Sequence, residues 1–324
     1  MADNMIERNS ALALCLGVVF LASCAGMQGA PPGAARASPS KSQATTGSSS
    51  DLLYVSDLSA VYVFSYPQGQ LVESITNIGQ PAGLCSDSEG DVFVANQTGN
   101  EVLEFAHGGT TPISTLRDGG YTPSSCAIDP VSGNLAVANA AQSPSKPGSL
   151  AIYQDARGDP TFLTAPNVYD FRFCAYDPEG NLLTDGYGPT FGLAGMHEGS
   201  NALTAVTLRS HLPPITRAGS LQWDGKYFSL VSPFKRYGPL LVYRVHQREQ
   251  MARVVGKLLL HNSHGHHNSF SDIEYWIQSK VIIGQNGPNR GVAFWHYSRN
   301  EKPFEVLKHP HTSYGITISV APTP

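Results

Sequence analysis

The sequence predicts an all-β fold, a six-bladed β-propeller with four antiparallel strands in each blade. Three observations predict it. A short hairpin pattern returns along the chain, its turn aspartates recur at the interval of a propeller blade, and the two ends of the globular part complete one another. The composition agrees, because 41% apolar and 14% charged residues suit one large globular core.

The repeating hairpin is clearest at residues 81–96, where two β-rich runs flank the turn Asp87-Ser-Glu-Gly90. Aspartate and glycine favour tight turns because they tolerate positive φ. Further copies lie at 126–139, 173–185 and 221–231, and a degenerate copy lies at 273–284. The turn residues Asp87, Asp129, Asp177 and Asp224 are about 42 to 48 residues apart, which is the length of a propeller repeat.

The sixth hairpin is divided between the two ends of the domain. Residues 314–319 look like a first strand without a second, and residues 51–57 look like a second strand without a first. We expect the C-terminal strand at 314–319 to pair with the N-terminal strands within 52–76. This pairing closes the ring and leaves no open sheet edge.

The first hairpin also carries a specific resemblance. Pro81-Ala-Gly-Leu-Cys-Ser-Asp, followed by Gly90-Asp-Val-Phe-Val-Ala-Asn, is similar to the NHL repeat pattern. The chain resembles uncharacterised bacterial lipoproteins built from such repeats, strongly in the first three blades and poorly in the fifth and sixth. The resemblance implies the fold and leaves the activity open, since NHL-like propellers include binding modules, lyases and lactonases.

The N-terminal residues are expected to lie outside the propeller. Residues 11–22 form an apolar run that is too short to span a bilayer as a helix but suits a signal peptide. The run ends in Leu21-Ala22-Ser23-Cys24, which resembles the bacterial lipobox. That resemblance implies cleavage before Cys24 and acylation of its thiol, whereas a plain secretory signal with an incidental cysteine is the alternative.

These features divide the chain into three segments. We expect a signal peptide over residues 1–23, the lipidated cysteine and a disordered tether over 24–50, and the propeller over 51–324. The tether is rich in small and polar residues and cannot bury enough apolar surface to fold. The predicted location is the bacterial cell envelope, lipid-anchored at a periplasmic or outer-surface face. The formal net charge of -4 and the lack of a basic run disfavour nucleic acid as a partner.

Three cysteines fall on the first strands of successive blades. Cys126 and Cys174 share a register relative to the turn aspartate, whereas Cys85 is shifted by one residue onto the opposite strand face. Small buried residues packed between blades are the simplest interpretation. A disulfide between Cys126 and Cys174 is the alternative, subject to a Cα separation within roughly 7 Å.

Two histidine-rich segments form the first candidate functional site, a metal site. The run His261-Asn-Ser-His264-Gly-His266-His267 precedes the sixth blade, and His309-Pro-His311 precedes the first. Both connections fall on one face of a propeller, in neighbouring positions. Imidazole nitrogens are common ligands of divalent metals, so His264, His266, His267, His309 and His311 are the predicted metal site, with solvated loop composition as the alternative.

The mouth of the central channel supplies a second candidate. The ends of the second strands carry Asp57, Asn96, Asn139, Asp185, Ser232 and Gln285. Such oxygens could hold a hard cation, as in six-bladed metal-dependent lactonases, although the glutamate of that ligand set has no clear equivalent here. The alternative is that these side chains satisfy loop backbone groups.

Aromatic residues in or beside loops supply a third candidate, because such residues anchor protein and carbohydrate interfaces. They are Tyr66, Tyr121, Tyr169, Tyr187, Phe234, Tyr237 and Tyr314. Together these patterns predict a cell-envelope binding module that recognises a protein or a glycan through the face with the His-rich segments. The alternative is a metal-dependent hydrolase, lactonase or lyase with a divalent cation at the channel mouth. No catalytic motif supports an enzyme over a binding module.

Overall fold

The structure is a computed structural model that describes residues 50–211, 214–233, 240–248, 250–263, 274–278, 280–287, 290–298 and 300–322. The predicted signal peptide, Cys24 and nearly all of the predicted tether lie outside these ranges. The described residues form β-strands joined by short loops, with a single 3-10 turn at Gln154–Ala156.

The strands are numbered in chain order. They are β1 (Leu52–Ser56), β2 (Ala60–Ser65), β3 (Leu71–Thr76), β4 (Pro81–Ser86), β5 (Val92–Asn96), β6 (Glu101–Phe105), β7 (Ser114–Arg117), β8 (Thr122–Ile128), β9 (Leu135–Ala140), β10 (Leu150–Tyr153), β11 (Thr161–Leu163), β12 (Asp170–Tyr176), β13 (Leu182–Tyr187), β14 (Phe191–Met196), β15 (Thr204–Arg209), β16 (Ser220–Trp223), β17 (Phe228–Pro233), β18 (Leu240–Arg248), β19 (Met251–Leu260), β20 (Trp276–Gln278), β21 (Val281–Gln285), β22 (Val292–His296), β23 (Glu305–Leu307) and β24 (Ile316–Ser319).

These strands form five sheets within the described ranges. Four of the sheets have four antiparallel strands, in the orders β24-β1-β2-β3, β4-β5-β6-β7, β11-β10-β9-β8 and β20-β21-β22-β23. The remaining sheet has eight strands, in the order β12-β13-β14-β15-β19-β18-β17-β16. The fold is therefore all-β and propeller-like, with mostly antiparallel sheets, as the sequence predicts.

The eight-stranded sheet differs from the six separate sheets that the sequence predicts. Its two antiparallel halves are joined where β15 and β19 pair in parallel, from Thr207↔Met251 to Arg209↔Arg253. The reason lies in the long hairpin of β18 and β19, which have 9 and 10 residues. The tip of this hairpin reaches the edge of β15, whose backbone groups would otherwise lack strand partners.

The two ends of the domain pair as predicted. Strand β24 is hydrogen-bonded antiparallel to β1, with Leu52 opposite Ser319 and Val55 opposite Ile316. The contact continues beyond the strands, since Ser56 N donates to Gly315 O at 3.0 Å. The first sheet thus contains strands from both ends of the domain.

The recurring Asp-x-x-Gly turns have a structural explanation. At the first turn, Asp87 Oδ1 accepts hydrogen bonds from the backbone N–H groups of Glu89 and Asp91 at 3.0 and 2.9 Å. Gly90 has φ of 88°, a conformation that side chains disfavour. Asp177 repeats the arrangement with two backbone N–H donors of its own turn. In these recurring turns the aspartate side chain therefore accepts hydrogen bonds from the backbone N–H groups of its own turn.

The cysteine pairing corrects the sequence analysis, because a disulfide joins Cys85 to Cys126, with a Cα separation of 5.6 Å. Cys126 and Cys174 share a register and therefore face the same way, each toward the preceding sheet. Their sulfur atoms lie 3.7 Å from the carbonyl oxygens of Phe93 and Ala136 respectively. Cys85 has the opposite register, so it faces the following sheet and meets Cys126. Cys174 is a buried free thiol.

Candidate functional site

One set of loops lies on a single face of the sheets and carries most of the residues singled out above. In each four-stranded unit, successive antiparallel connections emerge on alternate faces. The connections between units therefore share a face with the loops between second and third strands. We call this the His-bearing face; its described connections are residues 77–80, 118–121, 164–169, 210–211, 214–219, 261–263 and 308–315. The Asp-containing turns lie on the opposite face.

The two His-rich connections are anchored on the same turn. Ser263 N donates to Asn286 Oδ1 at 3.0 Å, and Asn286 Nδ2 donates to Ser263 Oγ at 3.1 Å. The carbonyl of His311 accepts from Gly291 N at 3.3 Å and from Gln285 Nε2 at 3.3 Å. The sequence predicts these two connections to be neighbours, and the shared turn agrees with that prediction.

His309 and His311 are both exposed, and their ring centroids lie 4.9 Å apart in an edge-on arrangement. His264, His266 and His267 lie outside the described residues. Within the part of the chain that the structure describes, no group of three or more His, Cys, Asp or Glu residues is placed to hold a metal ion. Two neighbouring imidazoles of the predicted set are therefore in place, and the complete set stays a prediction.

The polar side chains predicted at the channel mouth are engaged with neighbouring loops. Asp185 is fully buried and accepts from Phe173 N at 3.1 Å and Gly219 N at 2.8 Å. Asn96 Oδ1 accepts from Gln80 N at 3.1 Å. Comparable bonds are made by Asp57, Asn139, Ser232 and Gln285. The arrangement is the one expected of residues that satisfy backbone and loop groups.

Asp118 and Asn139 form a buried polar pair on the same face. Both are fully buried, and Asp118 Oδ1 accepts from Asn139 Nδ2 at 3.3 Å and from the hydroxyl of Tyr153 at 3.0 Å. Asp118 Oδ2 and Asn139 Oδ1 are buried without a hydrogen-bond partner. Burial raises the pKa of the Asp118 carboxyl to about 7, so its neutral form is favoured in weak acid.

Glu274 is a buried acid that the repeat pattern did not identify. Its carboxylate Oε2 accepts from Leu84 N at 2.8 Å and Ile316 N at 3.3 Å, and the side chain also bonds Ser125. It therefore reaches the first strands of three other sheets. Gly83 permits this approach, since a Cβ there would lie only 2.4 Å from Glu274 Oε1.

Burial raises the pKa of the Glu274 carboxyl to about 8, against the lowering effect of its backbone and serine donors. Its oxygens already accept three protein hydrogen bonds, so the arrangement ties strands together. The only sequence signal was an acidic residue directly before the apolar run at 275–277.

A pocket of about 430 Å³ opens on the His-bearing face beside β14 and β15, under the connection that follows β15. Its wall includes the apolar side chains of Phe191, Leu193, Val206 and Ile215, but polar groups contribute more of its exposed lining than apolar groups. Asn167 is also at the wall, where its Nδ2 donates to Leu193 O at 2.8 Å. A concave site of this size is typical of a binding pocket.

The predicted aromatic anchors are mostly packed into the protein. Among the described ones, Tyr66, Tyr121, Tyr187 and Tyr314 are half-buried, and Phe234 and Tyr237 lie outside the described residues. Tyr169 is the exception, with 46% of its surface exposed. Tyr169 lies two residues after Asn167, which lines the pocket of about 430 Å³.

The His-bearing face thus offers a pocket with both apolar and polar walls, the exposed ring of Tyr169 and the exposed imidazoles of His211, His309 and His311. Such a surface can bind an apolar group and surround it with polar contacts.

In the described part of the chain, no helix is long and apolar enough to cross a membrane.

Comparisons with known proteins support the repeat and the fold. No protein-family profile matches the chain. A segment of 76 residues is 40% identical to human NHL-repeat-containing protein 4, covering 24% of this chain and 56% of that protein. The chain therefore spans about half the length of that relative. This similarity and the structural neighbours support an NHL-type β-propeller.

Solved structures resemble the fold at low sequence identity. A chain of a nidogen–laminin complex superposes with a TM-score of 0.64 at 13% identity, covering 84% of this chain and 100% of that one. A protein of unknown function from Desulfotomaculum acetoxidans gives 0.58 at 12% identity, covering 84% of this chain and 100% of that one. One from Bacteroides caccae also gives 0.58 at 12% identity, over 84% of this chain and 99% of that one. At such identities the likeness concerns the fold alone.

Proposed function

We propose that this chain is a lipid-anchored cell-envelope protein whose six-bladed propeller binds a protein partner through the His-bearing face. The observation that carries the binding proposal is the pocket of about 430 Å³ on that face, whose wall includes the apolar side chains of Phe191, Leu193 and Ile215. An interface gains most of its affinity where an anchor side chain fills a desolvated pocket. An apolar side chain of the partner would fill this pocket, and Tyr169 would pack at its edge.

The proposed count of six blades is supported by dividing the eight-stranded sheet at its parallel joint. The 24 described strands then give six units of four, and both halves of the large sheet keep the antiparallel order of the other units. The β15–β19 pairing is in this view a bridge between the fourth and fifth blades. Such a bridge holds β15, which contributes Val206 and Leu208 to the pocket wall, against the next blade.

One comparison supports a protein as the partner. The structural neighbour with a TM-score of 0.64 comes from a complex of nidogen with laminin. A glycan is the other ligand class that the aromatic residue on this face suits.

The partner can be tested by photo-crosslinking in intact bacterial envelopes. A photoreactive phenylalanine at Tyr169 should yield a protein adduct, and Leu208→Trp, which fills the pocket, should remove it. The same probe at Val131, exposed in an Asp-containing turn on the opposite face, is the matched control. An adduct that survives Leu208→Trp, or that forms equally from Val131, would contradict binding at the pocket.

The lipid anchor is tested separately. The lipobox-like Leu21-Ala22-Ser23-Cys24 and the small-residue segment after it support acylation of Cys24. Full-length protein expressed in bacteria should incorporate labelled fatty acid and enter the detergent phase, and Cys24→Ala should do neither. Release of a soluble, unlabelled wild-type protein would favour the plain secretory signal.

A divalent metal on the His-bearing face is the second candidate. It is supported by the 4.9 Å spacing of the His309 and His311 rings. Elemental analysis of the full chain after exposure to zinc should find about one bound ion. Changing His264, His266, His267, His309 and His311 to Ala should abolish it, and the control variant with His197 and His246 changed to Ala should retain it. Equal metal content in all three proteins would overturn this site.

A further inference from the structure

A second pocket, of about 270 Å³, opens on the face opposite the His-bearing face. It lies where the fourth and fifth units meet. One wall comes from the turn after β12, with Asp177 and Asn181, and from His197 after β14. The other comes from the turn after β16, with Trp223 and Tyr227, and from the tip of the β18–β19 hairpin.

Three features hold the pocket in shape: a strand pairing, a packing contact between the two halves of the sheet, and a hydrogen-bonded turn. The parallel pairing of β15 with β19 fixes the two halves of the sheet against each other. Gln247 lies over Gly195, where a Cβ would be 2.4 Å from the Gln247 Nε2 atom. Asp224 Oδ1 accepts from Lys226 N and Tyr227 N at 2.8 and 2.7 Å, which fixes the turn that carries the aromatic wall. A preformed site loses little entropy on binding.

Aromatic rings line one side of this pocket. Trp223 and Phe228 meet edge to face with ring centroids 5.2 Å apart. Tyr227 packs edge-on against His246 at 5.8 Å, and the Lys226 ammonium lies 5.1 Å from the centre of the Tyr227 ring. Tyr227 is half-buried, so part of it stays open to solvent. An aromatic ring with one apolar face and polar neighbours is suited to a ligand that is itself amphipathic.

Apart from Val245, the rest of the lining is polar, and its formal charges cancel. Glu179 is exposed opposite the cations of Lys226 and Arg248, and Asp177 is occupied by its own turn. His197 Nδ1 lies 3.3 Å from Asn181 Oδ1, which orients that imidazole. The pocket therefore presents donors and acceptors side by side without a net field that would select an anion or a cation.

We propose that this pocket binds one neutral sugar ring of a glycan. The C–H face of a pyranose ring is apolar and would lie against Tyr227, while its hydroxyl groups both donate and accept and would match the mixed polar rim. A carboxylate ligand would meet Glu179, and an ammonium ligand would meet Lys226 and Arg248. The site lies on the face opposite the proposed protein-binding surface and has different lining residues, so each proposal can be tested without the other.

Calorimetric titration of the full chain with the neutral trisaccharides maltotriose, cellotriose and chitotriose tests the proposal. We expect saturable binding of at least one of them. Tyr227→Ala should weaken that binding about tenfold, whereas Tyr227→Phe, which keeps the ring, should change it less than about threefold. Val72→Ala, at an exposed position of β3 away from both pockets, is the control and should leave it unchanged.

Thermal unfolding of each variant separates a lost contact from a lost fold, and Tyr227→Phe serves where Tyr227→Ala does not fold. The proposal is overturned if none of the three sugars binds to the folded chain. Binding that is equal in wild type and Tyr227→Ala overturns it as well, as does saturable binding of acetate or methylammonium in place of the sugars.

Discussion

Cys85 and Cys126 join the first strands of two neighbouring sheets through a disulfide, with their Cα atoms 5.6 Å apart. The bond depends on their opposite registers, because adjacent sheets present opposite faces to each other. The two cysteines are separated by 41 positions in the sequence. The disulfide therefore closes a long loop and ties one sheet to the next.

We expect loss of this disulfide to lower the free energy of unfolding by about 4 kcal/mol, because a loop of this length no longer restricts the unfolded chain. The double variant with Cys85 and Cys126 changed to Ala should unfold at a lower urea concentration. A reductant should shift the wild type and Cys174→Ala, and leave the double variant unchanged. A wild-type midpoint that does not respond to reductant would contradict the assignment.

Cys174 should be chemically inert in the folded protein. It is buried, and burial raises the pKa of its thiol well above the usual range, so almost no thiolate forms. Iodoacetamide at pH 8 should leave the peptide that contains Cys174 unmodified until urea is added. Rapid labelling under native conditions, measured by mass spectrometry, would show that this strand opens.

Asp118 should make stability depend on pH. Its carboxyl has a folded pKa of about 7 against an ordinary value of 3.8, so the folded state binds the proton more tightly. Between these two values a rise in pH removes up to roughly 1.4 kcal/mol per unit, and above pH 7 the loss is complete. Asp118→Asn resembles the neutral acid and lacks this dependence.

The difference in free energy of unfolding between wild type and Asp118→Asn should therefore shift in favour of the variant as pH rises from 4 to 7. Urea titrations at intervals of pH measure this difference. A difference that stays constant across the range would mean that Asp118 titrates normally.

Glu274→Ala should destabilise the protein by roughly 3 kcal/mol, because it leaves the buried N–H groups of Leu84 and Ile316 without an acceptor. Glu274→Gln keeps an acceptor oxygen and should cost much less. Because the folded pKa of Glu274 is raised to about 8, the wild type should also lose stability relative to Glu274→Gln between pH 4.5 and 8. Equal unfolding midpoints for the Ala and Gln variants would contradict this role.

The repeat and the strand order of each unit were predictable because they depend on local signals, and the pairing of the two ends was predictable because residues 314–319 and 51–57 are complementary halves of one hairpin. The Asp-x-x-Gly turn is satisfied within a few residues, as Asp87 shows, and alternation of buried residues follows from strand geometry. The face that carries the His-rich loops followed from topology. The disulfide partner was not predicted, although the register difference of Cys85 was visible in the sequence.

The sequence by itself determined an all-β repeat protein and its turn chemistry, since these depend on hydrogen bonds between near neighbours in each hairpin. It also determined the joining of the ends, because each end supplies the half of a hairpin that the other lacks. Only the tertiary structure decided that Cys85 meets Cys126, that β15 pairs with β19, and that Glu274 reaches Leu84. Those contacts depend on which faces of neighbouring sheets meet and how far a long hairpin reaches. The pocket of about 270 Å³ has walls from both halves of the eight-stranded sheet, so its existence is also a tertiary property.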